Sequence, residues 1–298
     1  MNTMNTTHTQ HFSTVLRGAG RFAMQWRLLL LWLAGLSIPA ALTTFPVWRI
    51  LANSLDHSVN AANLAQRLDI NSFVDLQNAV NASGLAVVVG GFAGIIVTLL
   101  LSPLLSGAVI TAAKSSERLS FGQLFGGGLT EYGRMLRLLL WAIVPLGIAC
   151  GIGAGVMHWA DKFAEKAILE SNANLAGNAA LALFVVLFFV ADATLDAGRA
   201  QFALSSKRRS AIKAWWRGLK LMCKKPLSSL GLYSVLTVVG LLLAAILGVA
   251  RINMPQVGAG GFVAALLVTQ LMVAATAWMR GARLFALIQL SKANQSAV

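Results

Sequence analysis

The sequence predicts an all-α, polytopic membrane helix bundle, with about six transmembrane helices and amphipathic helices at the membrane interface. Three observations predict it: a shortage of charged residues, six long apolar stretches and an uneven distribution of the basic residues. Of the 298 residues, 57% are hydrophobic and 11% are charged, whereas about a quarter of the residues of a typical soluble domain are charged. So few charged side chains cannot cover a globular surface, and most of the surface must therefore face lipid.

Six apolar stretches are close to or above the roughly 20 residues that a helix needs to cross about 30 Å of hydrocarbon. They are Leu28–Val47, Leu85–Ala113, Leu138–Met157, Leu181–Ala197, Leu227–Ala250 and Phe262–Met279. Because the lipid core offers no hydrogen-bond partners, each backbone must satisfy its own polar groups, as a helix does. The alternating pattern of transmembrane strands is absent. We expect one integral membrane domain over residues 1–298.

The basic residues are concentrated in alternate connections between these stretches. Nineteen of the 24 Lys and Arg residues lie in the two tails and in the second and fourth connections, and five lie in the other three connections. An excess of Lys and Arg marks the cytoplasmic side of a membrane protein. The pattern predicts a protein of the bacterial inner membrane with both termini in the cytoplasm. It also accounts for the net charge of +14, so no nucleic-acid partner is predicted.

Internal similarity predicts a threefold repeat of helix pairs, over residues 12–113, 121–206 and 210–289. Ungapped shifts of the chain align two sets of glycines, Gly18 with Gly127 and Gly218, and Gly107 with Gly198 and Gly281. Each unit would contain an amphipathic segment, an outgoing helix and a returning helix. Units with two spans share one orientation, so their symmetry axis would lie along the membrane normal.

The clearest amphipathic stretch is Arg209–Lys224. Apolar and basic residues fall on opposite sides at helical spacing, which is typical of a helix lying in the membrane interface. The candidate contacts for anionic lipid headgroups or for a partner protein are Arg209, Lys213, Trp215, Trp216, Arg217, Lys220 and Lys224, with Ile212, Leu219 and Met222 on the apolar side. The alternative is an ordinary basic loop on the cytoplasmic side.

Glycines recur at four-residue intervals in the second and third stretches. Gly90 and Gly94 lie in the second, and Gly147, Gly151 and Gly155 lie in the third, with Gly153 adding to them. Small residues at this spacing let two helix backbones approach closely. We therefore expect both stretches to pack inside the bundle through these glycines. The alternative is a flexible stretch, or one that lines a permeation path.

Three charged residues stand at the end of the fourth stretch. Asp192, Asp196 and Arg199 are spaced by four and three residues, so they share one side of a helix and Asp196 can pair with Arg199. Ionisable groups at membrane depth are rare and often functional. Two interpretations stay open: a structural ion pair, and a role in handling an ion or a substrate.

No catalytic motif is present in the sequence. It contains no Walker-type glycine loop, no Gly-x-Ser-x-Gly elbow and no His-Glu-x-x-His zinc motif, which are the patterns that place phosphates, nucleophiles and metals. Cys150 and Cys223 lie in different surroundings, one apolar and one basic. We expect no enzymatic activity, no cofactor and no metal site.

Residues 196–226 read DAGRAQFALSSKRRSAIKAWWRGLKLMCKKP. This segment resembles one that recurs in uncharacterised bacterial multi-pass membrane proteins, and the matching positions are Asp196, Arg199, Arg208, Arg209 and Ser210. Ala197 stands where those proteins have an aromatic residue. The six-span layout is similar to the membrane domain fused to some glycerophosphodiester phosphodiesterases. The resemblance implies a membrane domain and no catalytic residues.

Two functions are compatible with these features. The first is a non-enzymatic accessory, scaffold or lipid-interacting subunit that acts through its basic cytoplasmic face, with anionic lipids and a membrane-protein partner or a second copy as its contacts. The second is a small-solute or lipid transporter with Asp192, Asp196 and Arg199 near its inner mouth.

Overall fold

The computed structural model describes residues 14–55, 74, 77–78, 81, 84–115, 117–204, 210–254 and 258–296. A short helical stretch over residues 14–23, here called the N-terminal segment, precedes eight helices, and the described residues contain no strand. The helices are α1 (Trp26–Leu55), α2 (Gly84–Lys114), α3 (Phe121–Trp141), α4 (Ile143–Ala164), α5 (Glu170–Ala203), α6 (Ala211–Lys224), α7 (Pro226–Ile252) and α8 (Gly258–Ser296).

Six helical stretches are long and apolar enough to cross a membrane. They are formed by α1, α2, α3 together with α4, α5, α7 and α8. Each predicted apolar stretch falls within one of them, and the chain is a multi-pass helical membrane protein, which confirms the predicted fold class. The third span is the longest, with 44 residues, because the amphipathic start of α3 continues into α4 past a single turn residue, Ala142.

The spans form three antiparallel hairpins, α1 with α2, α4 with α5, and α7 with α8. Glycines mark the close approaches within the first hairpin. A Cβ atom added to Gly94 would lie 2.3 Å from Cγ2 of Thr43 and 3.2 Å from the carbonyl oxygen of Pro39. Gly90 is similarly close to α1, at 3.0 Å from the carbonyl oxygen of Leu42. Both glycines therefore lie at the contact between α2 and α1.

The glycine stripe of α4 does not lie at a helix contact. A Cβ atom added to Gly147, Gly151 or Gly155 would meet nothing within 4 Å, whereas one added to Gly153 would lie 2.1 Å from the ring of Phe184. For the described part of the chain, the expectation of packing inside the bundle is therefore wrong for Gly147, Gly151 and Gly155 and right for Gly153. The reason is the orientation of α4. Gly153 lies on the side of α4 that meets α5, whereas the stripe lies on the side that faces away from α5.

The hydrophobic core lies at one end of the bundle, where the three returning helices α2, α5 and α8 meet. Its largest buried side chains include Leu105 and Ile110 of α2, Leu195 and Phe202 of α5, and Leu287 of α8. This end also has α6 and most of the described basic residues, and it is called the basic end below. Toward the other end, large side chains such as those of Phe92, Val185, Ile246 and Phe262 are exposed, as expected for surfaces that face lipid.

Candidate functional site

Asp192, Asp196 and Arg199 lie on one side of α5, at the level of the core. The guanidinium group of Arg199 donates a hydrogen bond to the carboxylate of Asp196 through Nη1, as the spacing of three residues predicts. The side chain of Asp196 is 7% exposed and that of Asp192 is 35% exposed. The three residues therefore extend from a buried ion pair to a partly open carboxylate.

Arg283 of α8 joins this group from the facing helix. Its Nη1 atom lies 3.6 Å from Oδ2 of Asp192, and its Nε atom lies 3.7 Å from Oδ2 of Asp196. The side chain of Arg283 is only 8% exposed. In the sequence this residue follows the sixth apolar stretch and counts among the basic residues of the C-terminal tail, so no role was predicted for it. The signal was present in the apolar residues Leu284–Leu287 that follow it, which indicate that the buried part of α8 continues past Arg283.

Tyr233 of α7 connects the two charged helices. Its hydroxyl donates a hydrogen bond to Oδ2 of Asp192 at 2.6 Å and accepts one from Nη1 of Arg283 at 2.7 Å. The guanidinium carbon of Arg283 lies 4.6 Å from the centre of the Tyr233 ring, within the range of a cation–π contact. We call Asp192, Asp196, Arg199, Tyr233 and Arg283 the buried ion network. It joins α5, α7 and α8.

The formal charges of the buried ion network cancel, with two carboxylates against two guanidinium groups. Buried charged groups are costly unless they are paired, and this balance offsets part of that cost. The arrangement holds three helices in register. The carboxylate of Asp192 is its most exposed group.

A second ionic cluster joins α2, α3 and α5. Glu131 of α3 accepts hydrogen bonds from Nζ of Lys114, at 2.6 Å, and from Nη1 of Arg134. Arg134 also donates to the carbonyl oxygen of Phe202 at 3.2 Å and lies over its ring. In the sequence, Lys114 and Arg134 count only among the basic residues of the second connection, which indicate topology. Their pairing depends on how α3 crosses α2, which local spacing does not show.

The helix α6 has three faces rather than two. It begins after Ser210, whose Oγ accepts a hydrogen bond from the backbone nitrogen of Lys213. The buried face packs on the protein, an apolar face is exposed, and a basic face is exposed. Their members are Ala211, Ala214, Gly218, Leu221 and Met222 (buried face), Ile212 and Trp216 (exposed apolar face), and Lys213, Arg217, Lys220 and Lys224 (basic face).

The buried face of α6 lies directly on α5. A Cβ atom added to Gly218 would lie 2.6 Å from the backbone of Ala197 and Gly198, so only glycine fits there without movement. Next to this contact, Nε1 of Trp215 donates a hydrogen bond to Oγ1 of Thr194 at 3.0 Å. The contact holds α6 on the end of the hairpin formed by α4 and α5.

This arrangement corrects the prediction of a single apolar side on α6. Trp215 and Met222 face the protein, whereas Trp216 is 52% exposed and Ile212 is exposed beside it. The Nζ atom of Lys220 lies 5.9 Å from the centre of the Trp216 ring, at the boundary between the exposed apolar face and the basic face. Arg209, the first predicted contact residue, lies outside the described residues.

Two more amphipathic helices cross returning helices at the basic end. In α3, a Cβ atom added to Gly128 would lie 2.8 Å from the carbonyl oxygen of Leu104 of α2, beside Gly107. The N-terminal segment crosses α8 beside Gly281, where Nε1 of Trp278 donates to the carbonyl oxygen of Gly20 at 3.0 Å. The aligned glycines Gly107, Gly198 and Gly281 thus each lie at such a crossing. The threefold repeat itself stays a prediction.

Comparison of the chain with models of known protein families, with curated proteins and with solved structures finds no match. The resemblance of residues 196–226 to bacterial membrane proteins therefore stays a prediction. Among the described residues, no group of three or more His, Cys, Asp or Glu side chains is placed to hold a metal ion. The fold and the ionic clusters define a class, a multi-pass helical membrane protein with a charge-balanced buried ion network and a cationic end.

Proposed function

We propose that the protein is a non-enzymatic accessory or scaffold protein of the bacterial inner membrane, which binds anionic lipid headgroups through its basic end. In this proposal the basic end and both termini face the cytoplasm, because Lys and Arg are enriched on that side of membrane proteins. Bound lipid would fix the amphipathic helices in the interface, and their outward surfaces would contact a membrane-protein partner or a second copy.

The observation that carries the proposal is the division of α6 into three faces. Its buried face is held on α5 through Gly218, so α6 cannot rotate freely. Trp216 and Ile212 then point to one side, and the four cations of the basic face point to another. Aromatic residues suit headgroup depth, and each cation near an anionic surface contributes on the order of 1 kcal/mol. A docked helix with these two free faces is suited to a membrane surface rich in anionic lipid.

The buried ion network supports an accessory role in preference to transport. Its carboxylates and guanidinium groups pair with one another and with Tyr233, and one buried nitrogen, Nε of Arg283, has no hydrogen-bond partner among the described residues. A transport site needs polar groups that exchange their partners for a solute, and this network instead holds three helices together. Transport of a small solute or lipid stays the alternative that the sequence predicts.

The proposal is tested by counting the lipids that the full-length protein retains. The protein is solubilised in a mild detergent, titrated with phosphatidylglycerol, and analysed by native mass spectrometry. Replacing Lys213, Arg217, Lys220 and Lys224 with Gln should lower the number of bound phosphatidylglycerol molecules, because the basic face loses its charge. Phosphatidylcholine should bind equally to both proteins.

The matched control neutralises four cations of the predicted outer side, Arg49, Lys162, Lys166 and Arg251. It changes the net charge by the same amount and should leave phosphatidylglycerol retention at the wild-type level. Equal retention by the α6 variant and the wild-type protein would refute lipid binding by α6. The accessory role further predicts a stoichiometric partner or second copy after mild extraction, and repeated isolation of a bare single chain would count against that part.

A further inference from the structure

A cavity of about 780 Å³ opens at the basic end, where the N-terminal segment, the start of α1 and the connection between α2 and α3 meet. Its polar wall is formed by Arg21, Arg27, Arg118 and Glu117. These residues come from two parts of the chain that are about 90 positions apart, so the cavity exists only in the folded protein. We call it the N-terminal cavity.

The N-terminal cavity has an excess of positive charge. It presents three guanidinium groups against one carboxylate, and none of the ion pairs among the described residues includes Arg21, Arg27 or Arg118. Arg27 is fixed in place, because its Nη1 atom donates to the carbonyl oxygen of Leu119 at 3.1 Å and its guanidinium group lies over the Trp26 ring. Arginine suits phosphate oxygens, because its planar guanidinium can donate two parallel hydrogen bonds.

The other wall of the cavity is apolar and lies beside the first span. Phe22, Met24 and Trp26 line it and are exposed, Met24 the most, at 67%. The Trp26 ring packs edge-on against the Phe121 ring of α3, with 5.4 Å between the ring centres. This contact holds the Trp26 side of the wall in place. Trp26 is the first residue of α1, so this wall stands at the boundary between a transmembrane helix and its polar end, where aromatic residues meet lipid headgroups.

We infer that the N-terminal cavity binds the phosphate-bearing headgroup of an anionic phospholipid. Arg21, Arg27 and Arg118 hold the phosphate, and the apolar wall contacts the upper part of the acyl chains. Both halves of the cavity are needed for this ligand, since an inorganic anion would use only the arginines. The inference rests on the proposed function and deepens it by naming one defined site besides the basic face of α6.

The test measures the dissociation constant of the first phosphatidylglycerol molecule bound to the full-length protein, by native mass spectrometry. Replacing Arg21 and Arg118 with Gln should weaken this first binding step about thirtyfold, because two of the three cations are lost and each contributes on the order of 1 kcal/mol. Arg27 is left in place, since its bond to Leu119 joins two parts of the fold. The matched control replaces Arg17 and Arg280, two exposed cations of the basic end that lie outside the cavity, and should bind within twofold of wild type.

A second variant separates binding from folding. Replacing Glu117 with Gln removes the one carboxylate of the cavity and should tighten the first binding step about threefold, an effect that misfolding cannot produce. The backbone hydrogen bond from Glu117 to Oγ of Ser115 is kept in this variant. If the Arg21 and Arg118 variant binds as its control does, and Glu117→Gln does not tighten binding, the assignment is overturned.

A third arm identifies the source of the phosphate. Inorganic phosphate and glycerol phosphate are titrated against protein held in phosphatidylcholine, where no anionic lipid competes. We expect at least a tenfold lower affinity than for phosphatidylglycerol, and equal affinity would overturn the lipid assignment. Loss of binding in the α6 variant with no loss in the cavity variant would refute the cavity alone, whereas the reverse would refute the role of α6.

Discussion

The buried ion network and the basic face of α6 use cationic side chains in opposite ways. In the network, Arg199 and Arg283 are matched by Asp192 and Asp196 and are shielded by three helices. On α6, four exposed cations have no carboxylate within ion-pair distance among the described residues. A charge inside the bundle must be paired by the protein itself, whereas a charge on the surface is hydrated and can bind an external partner. The first region therefore joins helices within the protein, and the second is available for recognition.

The largest loss of stability is expected from a substitution at the centre of the buried ion network. Replacing Arg283 with Gln removes the cation that Asp192 and Asp196 share and leaves Asp192 with no cation, which should lower the free energy of unfolding by about 3–5 kcal/mol. Unfolding of the purified protein in detergent mixed with increasing SDS measures the change.

Two further variants separate charge pairing from a general loss of packing. Replacing the exposed neighbour Arg280 with Gln should leave the transition in place. Combining Arg283→Gln with Asp192→Asn should recover part of the loss, because it removes the carboxylate left without a cation, whereas Asp196 keeps Arg199. An Arg283→Gln protein as stable as wild type would show that the network is not a structural element, and the contrast with α6 would fail.

The second effect tests how α6 is docked. Replacing Gly218 with Leu pushes a side chain into the backbone of Ala197 and Gly198, where a Cβ atom alone would come within 2.6 Å. We expect a loss of about 3 kcal/mol, typical of overpacking at a rigid contact, and weaker retention of phosphatidylglycerol because α6 is no longer oriented. The thermal midpoint in detergent and native mass spectrometry measure the two consequences.

The matched control for Gly218 comes from the stripe on α4. Replacing Gly151 with Leu adds the same side chain at a position where a Cβ atom meets nothing within 4 Å. This variant should keep the wild-type midpoint and lipid retention. If both variants behave alike, the close contact between α6 and α5 does not orient the basic face.

The smallest loss of stability is expected from removing the hydroxyl group of Tyr233. Replacing it with Phe keeps the ring over Arg283 but removes the hydroxyl between Arg283 and Asp192, and we expect a loss of about 2 kcal/mol from two hydrogen bonds to charged groups. SDS titration against the wild-type protein measures it. Tyr132→Phe is the control, because the hydroxyl of Tyr132 donates to the carbonyl oxygen of Leu100 at an exposed site, and its loss should cost less than about 1 kcal/mol. Equal losses would mean that the Tyr233 hydroxyl has no special place in the network.

Much of this molecule follows from local sequence. The six spans are determined by runs of apolar residues, because a helix is the structure that hides its own backbone from lipid. The pair of Asp196 and Arg199 follows from their spacing on one helix. The start of α6 at Ser210 and the exposed position of its four cations also follow from capping and helical period. These features depend on residues within one or two helical turns of each other.

Only the tertiary structure decided the rest, because it depends on which side of each helix meets which neighbour. Trp215 and Trp216 are adjacent and equally apolar, yet the contact at Gly218 turns the first inward and the second outward. Arg283 and Tyr233 reach the carboxylates of α5 from helices far along the chain. The N-terminal cavity joins Arg21 to Arg118 in the same way. Hydropathy and period set the composition of a helix face, and packing between distant segments sets its partner.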